Sequence, residues 1–316
     1  MAEIQQEHFY AEYVQKLHWT VERTASVYVY IKSIPFTGAI AKIQRSDTLP
    51  PLSDLLPVLR KHNVKSVAIE PSPKVSQRVL LEYTKSLSVH IRINKSPFLP
   101  TKTIVVNLRP SEKEIFSNFS EAKRRAVRRA QKNNITVIES SDIQELISIK
   151  NKSAGLFGFI TTYGLKELWS VTYPKYATIL LARKNQKSVG GVLLLFQKNR
   201  AYYWIAGATR EGKKLFTPTL LVWESLKVAK KHGSKEFDLI GAWDERLPKQ
   251  NIEWKGFTKF KEGFGGKEIY YPTAMLRILD ETHRNHNVCP ESDANRSLIF
   301  LLPFFRHESW PLPVVP

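Results

Sequence analysis

The sequence predicts an α+β chain built from two packed halves, each a mixed sheet flanked by helices. Three observations carry that expectation. Segments with alternating apolar residues interleave with segments whose apolar residues recur every three to four, so strands and helices alternate along the chain. The order of these segments occurs twice in 316 residues, a length that suits two domains at about 100–200 residues each. No Gly/Ser-rich linker separates the two runs, so the halves are expected to pack together and not to move freely.

Taken in order, Phe9, Tyr13 and Leu17 recur at helical spacing near the N-terminus. Residues 27–31 and 38–43 read as paired strands around a turn at 35–38. A helix over 52–62 and a strand over 64–69 follow. Residues 103–108 form a further strand, and the polar segment 109–114 beyond it puts the join between halves near 107–120. The second half repeats the order, with a helix at 143–152 and strands at 178–182, 189–197 and 201–206. Their separators, 184–187 and 198–200, are polar and short enough for hairpins. The next helix has Thr217 as N-cap, Pro218 at its first position, a stripe of Val222, Leu226 and Ala229, and Gly233 as its stop. Lys227, Lys230 and Lys231 sit at its C-terminal end, where the helix dipole favours cations, so they need no ligand. A strand at 236–240 ends in Gly241, and a polar loop over 242–253 leads to a Gly- and Phe-rich stretch. A strand meander followed by a helix and another strand is the order of a GNAT-type acyltransferase fold, shared with many other α+β domains.

Composition narrows the partners. Lys and Arg number 48 against 29 Asp and Glu, a formal charge of +19, which favours nucleic acid, anionic head groups or phosphorylated substrates. With 42% hydrophobic residues the chain is not disordered as a whole. A single cysteine, Cys289, excludes an intrachain disulfide framework and a four-cysteine zinc site, and suits a reducing, cytoplasmic setting. The opening MAEIQQEHFYAEY has no basic stretch before an apolar run, so no signal peptide is expected. The apolar runs at 191–196 and 298–305 are far shorter than the roughly 20 residues that span a bilayer, so any membrane contact would be peripheral. His283, His286 and Cys289 share a three-residue spacing that chance explains, and no metal is expected. Neither a GxSxG motif nor a Walker loop is present.

Three stretches are candidates for chemistry. EAKRRAVRRAQKNN, 121–134, reads as a helix burying Phe119, Ala122, Ala126 and Ala130 and exposing Lys123, Arg124, Arg125, Arg128, Arg129 and Lys132. Six cations beside one acid repel one another, which points to a polyanion as their counter-charge. In GFTKFKEGFGG, 256–266, Lys259 and Lys261 interleave with Phe257, Phe260 and Phe264. The pattern alone reads as an exposed strand or turn, with one lysine in partly apolar surroundings that could meet a developing oxyanion. In AYYWIAG, 201–207, Tyr203 and Ile205 are expected on one face and Tyr202 and Trp204 on the other.

FLPTKTIVVNL (98–108), RRAVRRAQKNNITV (124–137), YYWIAGATREGKKLFTPTLLVWE (202–224), KEFDLIGAWD (235–244) and GFTKFKEGFGG, in this order, resemble the FemABX family over roughly 9–272. These are bacterial aminoacyltransferases that extend peptidoglycan precursors from aminoacyl-tRNA. The resemblance implies two GNAT-like domains, 1–110 with 272–316 and 111–271, and no coiled-coil arm. It implies Lys261 as the oxyanion partner, Tyr203 as an active-site tyrosine and Glu70, in IEP, as a possible base. Phe260, Phe264, Trp204, Lys259, Lys213 and Lys214 are the expected substrate contacts, and the cations of 123–132 the expected tRNA contacts. Aminoacyl-tRNA would be the co-substrate with no other cofactor, and the acceptor lipid II or a UDP-linked muropeptide. The protein would be a monomer at the inner membrane face or free in the cytoplasm. Gly164, where some relatives carry arginine, and Glu12, where one has lysine, depart from the family's diphosphate contacts. Residues 277–316 have no match, and their LIFLLPFF run would pack on the first half or touch a membrane. Two other readings remain: an acyl-CoA-dependent N-acyltransferase, for which Arg210–Leu215 lacks a second small residue, and a non-catalytic RNA-binding protein.

Overall fold

The structure, a computed structural model, describes residues 3–24, 26–36, 38–87, 92–93, 97–155, 158–272 and 275–278. The run at 298–305, Cys289, His283 and His286 lie outside the described residues. The described chain divides into two compact units, 3–101 with 270–278, and 102–269.

The first unit contains α1 (His8–Lys16), β1 (Thr20–Arg23), β2 (Tyr28–Ile34), β3 (Gly38–Gln44), α2 (Leu52–Lys61), β4 (Val64–Glu70), α3 (Gln77–Leu87) and β5 (Arg92–Ile93). The second contains β6 (Lys102–Asn107), α4 (Glu112–Ser117), α5 (Glu121–Lys132), β7 (Thr136–Ser140), α6 (Ile143–Ala154), α7 (Gly158–Thr161), α8 (Leu165–Thr172), β8 (Ala177–Lys184), β9 (Lys187–Gln197) and β10 (Arg200–Ala208). It continues through α9 (Arg210–Lys214), α10 (Thr217–Lys231), β11 (Glu236–Asp238), α11 (Lys255–Glu262) and β12 (Lys267–Tyr270), and β13 (Met275–Ile278) brings the chain back to the first sheet.

The first sheet has the order β1-β2-β3-β4-β13-β5, with β3 and β4 parallel. Val29 and Ile31, Ala39, Ala41 and Ile43, and Val67 and Ile69 alternate onto one face, where they pack with Leu55 and Leu59 of α2 and Leu80 of α3. From the other face, Tyr30 meets Tyr10 of α1 edge-on, with ring centroids 6.1 Å apart. Beside it Lys42 is buried over the rings of Phe98 and Trp19.

The second sheet has the order β12-β6-β11-β10-β9-β8-β7, with β10 and β11 parallel. β6 pairs antiparallel with β11, so the boundary between units falls at 101/102 and not in the 107–120 segment. The run ATILLA in β8 and VGGVLLL in β9 is buried throughout, because helices cover both faces of the sheet. α10 buries Val222, Leu226 and Ala229 as the periodicity predicts. Its cap is Phe216 in a left-handed conformation, so Thr217 is the first helical residue and not the N-cap.

Two elements differ from the sequence expectation. α5 buries Val127 and Ala130 beside Phe119, leaving Ala122 exposed and Ala126 half-buried. Valine offers more apolar area than alanine, and it sets the helix phase. The stretch read as a strand or turn is the helix α11, since Phe257, Phe260, Lys261 and Phe264 recur at three- and four-residue spacing. Among the described residues no helix is long and apolar enough to cross a membrane.

Candidate active site

β10 and β11 run together over three residue pairs, from Arg200 opposite Glu236 to Tyr202 opposite Asp238. Beyond them the strands part. The chain after β11 stays with β6, where Leu239 N–H donates to the Ile104 carbonyl and Ala242 N–H to that of Lys102. β10 stays with β9 as far as Ala208, interrupted by a bulge in which Trp204 is the extra residue. The bulge breaks the alternation expected for AYYWIAG and turns Tyr203 and Trp204 both toward the opening. That opening is a cavity of about 470 Å³, closed by the first turns of α10 and by Phe257, Phe260 and Lys261 of α11.

The end of β11 is built to receive Lys261. Ile240 and Gly241 are both left-handed, at φ 46° and 68°. For a β-branched residue that conformation is strained and needs support from its surroundings. Buried Asp238 supplies it, as its Oδ1 accepts from Ile240 N–H at 2.7 Å and from the Thr103 hydroxyl. The two turned carbonyls converge on Lys261 Nζ, which donates to Gly241 O at 2.7 Å and to Ile240 O. An ammonium has three donors, so one is left for the cavity that Lys261 lines. The side chain is only 3% exposed, and burial pushes its pKa down to about 7 against the opposing pull of Asp238. Phe257 lies beneath it, with its ring centre 4.5 Å from Nζ.

Tyr203 faces the same space, and its hydroxyl has no hydrogen-bond partner among the described residues. Burial raises its pKa, so the phenol stays protonated near neutral pH. A second buried lysine, Lys150, enters from α6. Its pKa is pushed down to about 8, first by burial and then by the charge of Lys213. Sequence reading missed it. The signal was available: Ile143, Leu146 and Lys150 continue one helical stripe, so a lysine occupies a position the pattern reserves for an apolar residue.

Residues 118–255 match the family model for an acetyltransferase (GNAT) domain. The described chain is similar to the crystal structure of FemX, with a TM-score of 0.68 at 15% identity over 88% of this chain and 92% of that one. The chain has a FemABX-like GNAT fold. The same fold relates it to a C-terminal domain assigned as a lysylphosphatidylglycerol synthetase in Agrobacterium fabrum, at a TM-score of 0.60, 14% identity and 98% and 95% coverage. L-PGS from Bacillus licheniformis gives 0.60, 11%, and 96% and 93%. No curated protein matches the sequence significantly.

On this FemABX-like frame Lys261, Tyr203, Trp204, Phe260 and Lys213 line one cavity. Other expected residues lie elsewhere. Phe264 is fully buried in the core, with its ring 5.1 Å from Phe119, because it occupies the inward side of the turn after α11. Lys259 and Lys214 are exposed and do not line the cavity. Glu70 belongs to the first unit, buried at the end of β4, where it accepts from Gln44 Nε2 and from Leu99 N–H, each at 2.8 Å. Those bonds give it an anchoring role between β3, β4 and the 97–100 segment.

The basic helix α5 also divides. Lys123 is half-buried with Nζ 3.7 Å from the Phe260 ring centre, and burial lowers its pKa to about 8. Arg124 donates to the carbonyls of Ser117 and Phe119 and so closes the end of α4. Both are half-buried because the helix turns that edge inward. Arg125, Arg128, Arg129 and Lys132 remain exposed, with Arg125 paired to Glu121 at 3.1 Å.

Proposed function

We propose that the chain is an aminoacyltransferase that moves an amino acid from aminoacyl-tRNA to an amine of a peptidoglycan precursor. The observation that carries this reading is Lys261, held by two carbonyls in the cleft between parting strands and lining the cavity. An aminoacyl ester is already activated, so its transfer needs positioning and charge stabilisation more than a strong nucleophile. The acceptor amine adds to the ester carbonyl, and the carbonyl oxygen becomes an oxyanion that Lys261 meets. Collapse of this intermediate breaks the ester C–O bond. The amine loses one proton and the departing tRNA oxygen gains one. In this scheme Tyr203, protonated and lining the same cavity, relays it.

An acyl-CoA donor is disfavoured by the link between β10 and α10. Backbone amides that would cradle a pyrophosphate are bonded inside that link: Gly212 to the Thr209 hydroxyl, Lys213 to Thr209 O, Leu215 to Glu211 O and Phe216 to Lys213 O. The similarity to FemX and to domains named for lysylphosphatidylglycerol synthesis supports an aminoacyl donor and a lipid-linked acceptor. A passive RNA-binding protein would have no use for a buried lysine with a near-neutral pKa at the base of a cavity.

The test is incubation with a labelled aminoacyl-tRNA pool and either lipid II or a UDP-linked muropeptide, with labelled acetyl-CoA in parallel. Label moving from tRNA to one acceptor is the expected result. Transfer from acetyl-CoA with none from charged tRNA would overturn the reading.

A further inference from the structure

We propose that Glu253 forms a cation-binding end of the cavity, remote from Lys261, and that the amino acid delivered there carries a long side chain ending in a positive charge. That the cation belongs to a donor amino acid rests on the aminoacyl-tRNA reading. The subsite itself rests on geometry.

The turn Ile252–Trp254 runs straight into α11, because Trp254 and Lys255 both hold right-handed helical backbone. Along this continuous run Glu253, Gly256, Phe257, Phe260 and Lys261 line the cavity, at the i, i+3, i+4, i+7, i+8 spacing of one helical face. An acid at the start of such a run suits the helix dipole, which accounts for a carboxylate in the turn but not for the side it occupies. The usual sides are reversed: Ile252 is 59% exposed and does not line the cavity, while Glu253 does. A turn placed only for packing would turn the isoleucine inward and the acid outward.

Glu253 is the only acid among the described residues that line the cavity. Its carboxylate has no hydrogen-bond or ion-pair partner among the described residues, although Lys150, Lys213 and Lys261 line the same space, so its charge is available to a ligand. Nor does it bear on Lys261, whose electrostatic neighbour is Asp238. The helical run sets the Cα atoms of Glu253 and Lys261 about 12 Å apart. The α-ammonium of an aminoacyl ester is bonded next to the carbonyl carbon and stays at the Lys261 end. A long side chain can cross the gap. It would run over Phe257 and Phe260, apolar groups that suit a methylene stem and leave its charged head to the carboxylate. The cavity, about 470 Å³, has room for such a stem beside the ester, and a glycyl or alanyl group would leave the Glu253 end unfilled. A lysyl-like donor fits charge, stem and length together.

The experiment titrates the full chain with L-lysinamide and L-norleucinamide by ligand-observed NMR, in the parent, Glu253→Gln and Glu253→Asp. The two amides share the α-ammonium and the stem and differ in the terminal charge. Glu253 is exposed, so its replacement leaves the core intact, and a circular dichroism spectrum checks each variant. A charge-assisted pair leads the parent to bind lysinamide about tenfold more tightly than norleucinamide, and Glu253→Gln to bind the two alike. Glu253→Asp keeps the charge on a shorter arm and is expected to retain part of the preference. Equal or undetected binding of the two amides by the parent overturns the proposal, as does a preference that survives in Glu253→Gln. An equal loss of both amides in Glu253→Gln also overturns it, since the carboxylate would then serve the α-ammonium. In parallel the parent receives lysyl-tRNA and alanyl-tRNA with lipid II and the UDP-linked muropeptide as acceptors. Transfer of alanine alone overturns the proposal and leaves the aminoacyltransferase reading standing. Glu253-dependent binding of lysinamide without transfer from either charged tRNA supports the subsite and removes the tRNA donor.

Discussion

Asp238 and Lys261 are joined through a two-residue turn: Asp238 Oδ1 accepts a hydrogen bond from Ile240 N–H at 2.7 Å, and the Ile240 and Gly241 carbonyls accept hydrogen bonds from Lys261 Nζ. One carboxylate therefore fixes the backbone that fixes the lysine, and its charge also bears on that lysine. Lys261→Met removes the third donor while leaving an apolar side chain of similar length. Turnover is expected to fall by about two to three orders of magnitude, as for loss of an oxyanion donor, with a smaller change in KM. Steady-state kinetics of amino acid transfer checks this, and near-normal turnover would remove Lys261 from the reaction.

The pH profile follows from the same pair. Burial lowers Lys261 to about 7 and Asp238 opposes the shift. An oxyanion donor must be protonated, so kcat is expected to decline as pH rises through about 7. Asp238→Asn keeps an oxygen for Ile240 N–H but removes the charge, so this alkaline decline should move to lower pH. The acid side, set by deprotonation of the acceptor amine, should stay in place. A profile that does not move in Asp238→Asn would contradict the coupling.

Stability carries the opposite sign. The pKa of Lys261 is about 7 in the folded chain against 10.5 for an ordinary lysine. Between those values the unfolded chain binds more protons, so the parent gains stability as pH rises across the window and carries the full cost of the buried charge below it. Lys261→Met carries no such cost. Its melting temperature should exceed that of the parent most at pH 6, and the gap should narrow toward pH 10. A constant gap would mean that the lysine is not desolvated as described.

Much of the frame was legible from residue pattern. The β8–β10 meander and the α10 stripe follow from periodicity and punctuation, because each rests on several residues agreeing, whereas the strand expected over 236–240 stops at Asp238, before the left-handed turn at Ile240 and Gly241. α11 and Lys150 were less legible for one shared physical reason. In both, a lysine occupies a buried position of an amphipathic helix, and a reading that treats lysine as polar assigns it to the wrong face. The Trp204 bulge was hidden for another reason. Period-two alternation reports faces only while the ladder is regular, and the tertiary parting of β10 from β11 accompanies its break. Likewise the charge count of α5 was visible, but only the contacts of Phe260 and of the α4 carbonyls separate Lys123 and Arg124 from their exposed neighbours.

That separation has a measurable consequence. If α5 contacts tRNA, Arg125, Arg128 and Lys132 are among its exposed side chains that would do so. Replacing all three with alanine should reduce the slope of log affinity against log salt by about 2, at about 0.7 for each lost single-strand phosphate contact. Melting temperature should change little. Lys123→Ala should behave in the reverse way, lowering stability through the lost Phe260 contact by about 0.5–1 kcal/mol while leaving the salt slope near its parent value. Equal slopes in the triple variant and the parent would remove α5 from the RNA footprint.

Gly207→Ala tests whether the approach of α6 to β10 matters to the site or only to packing. Its new Cβ would meet Lys150 Cα at 3.0 Å and Lys150 N and Cδ at 3.4 Å, so the helix backbone must yield by a few tenths of an ångström. Overpacking of this kind costs about 1–3 kcal/mol, which chemical denaturation will read. A purely structural glycine would change stability alone. A glycine that positions Lys150 should also lower the rate of amino acid transfer, and that second effect should vanish when Lys150 is already methionine. A double-mutant cycle on the transfer rate isolates it, since the two residues are in contact and expected to couple. Additive effects would confine Gly207 to packing, whereas loss of its kinetic effect in the Lys150→Met background would tie the glycine to the lysine it admits.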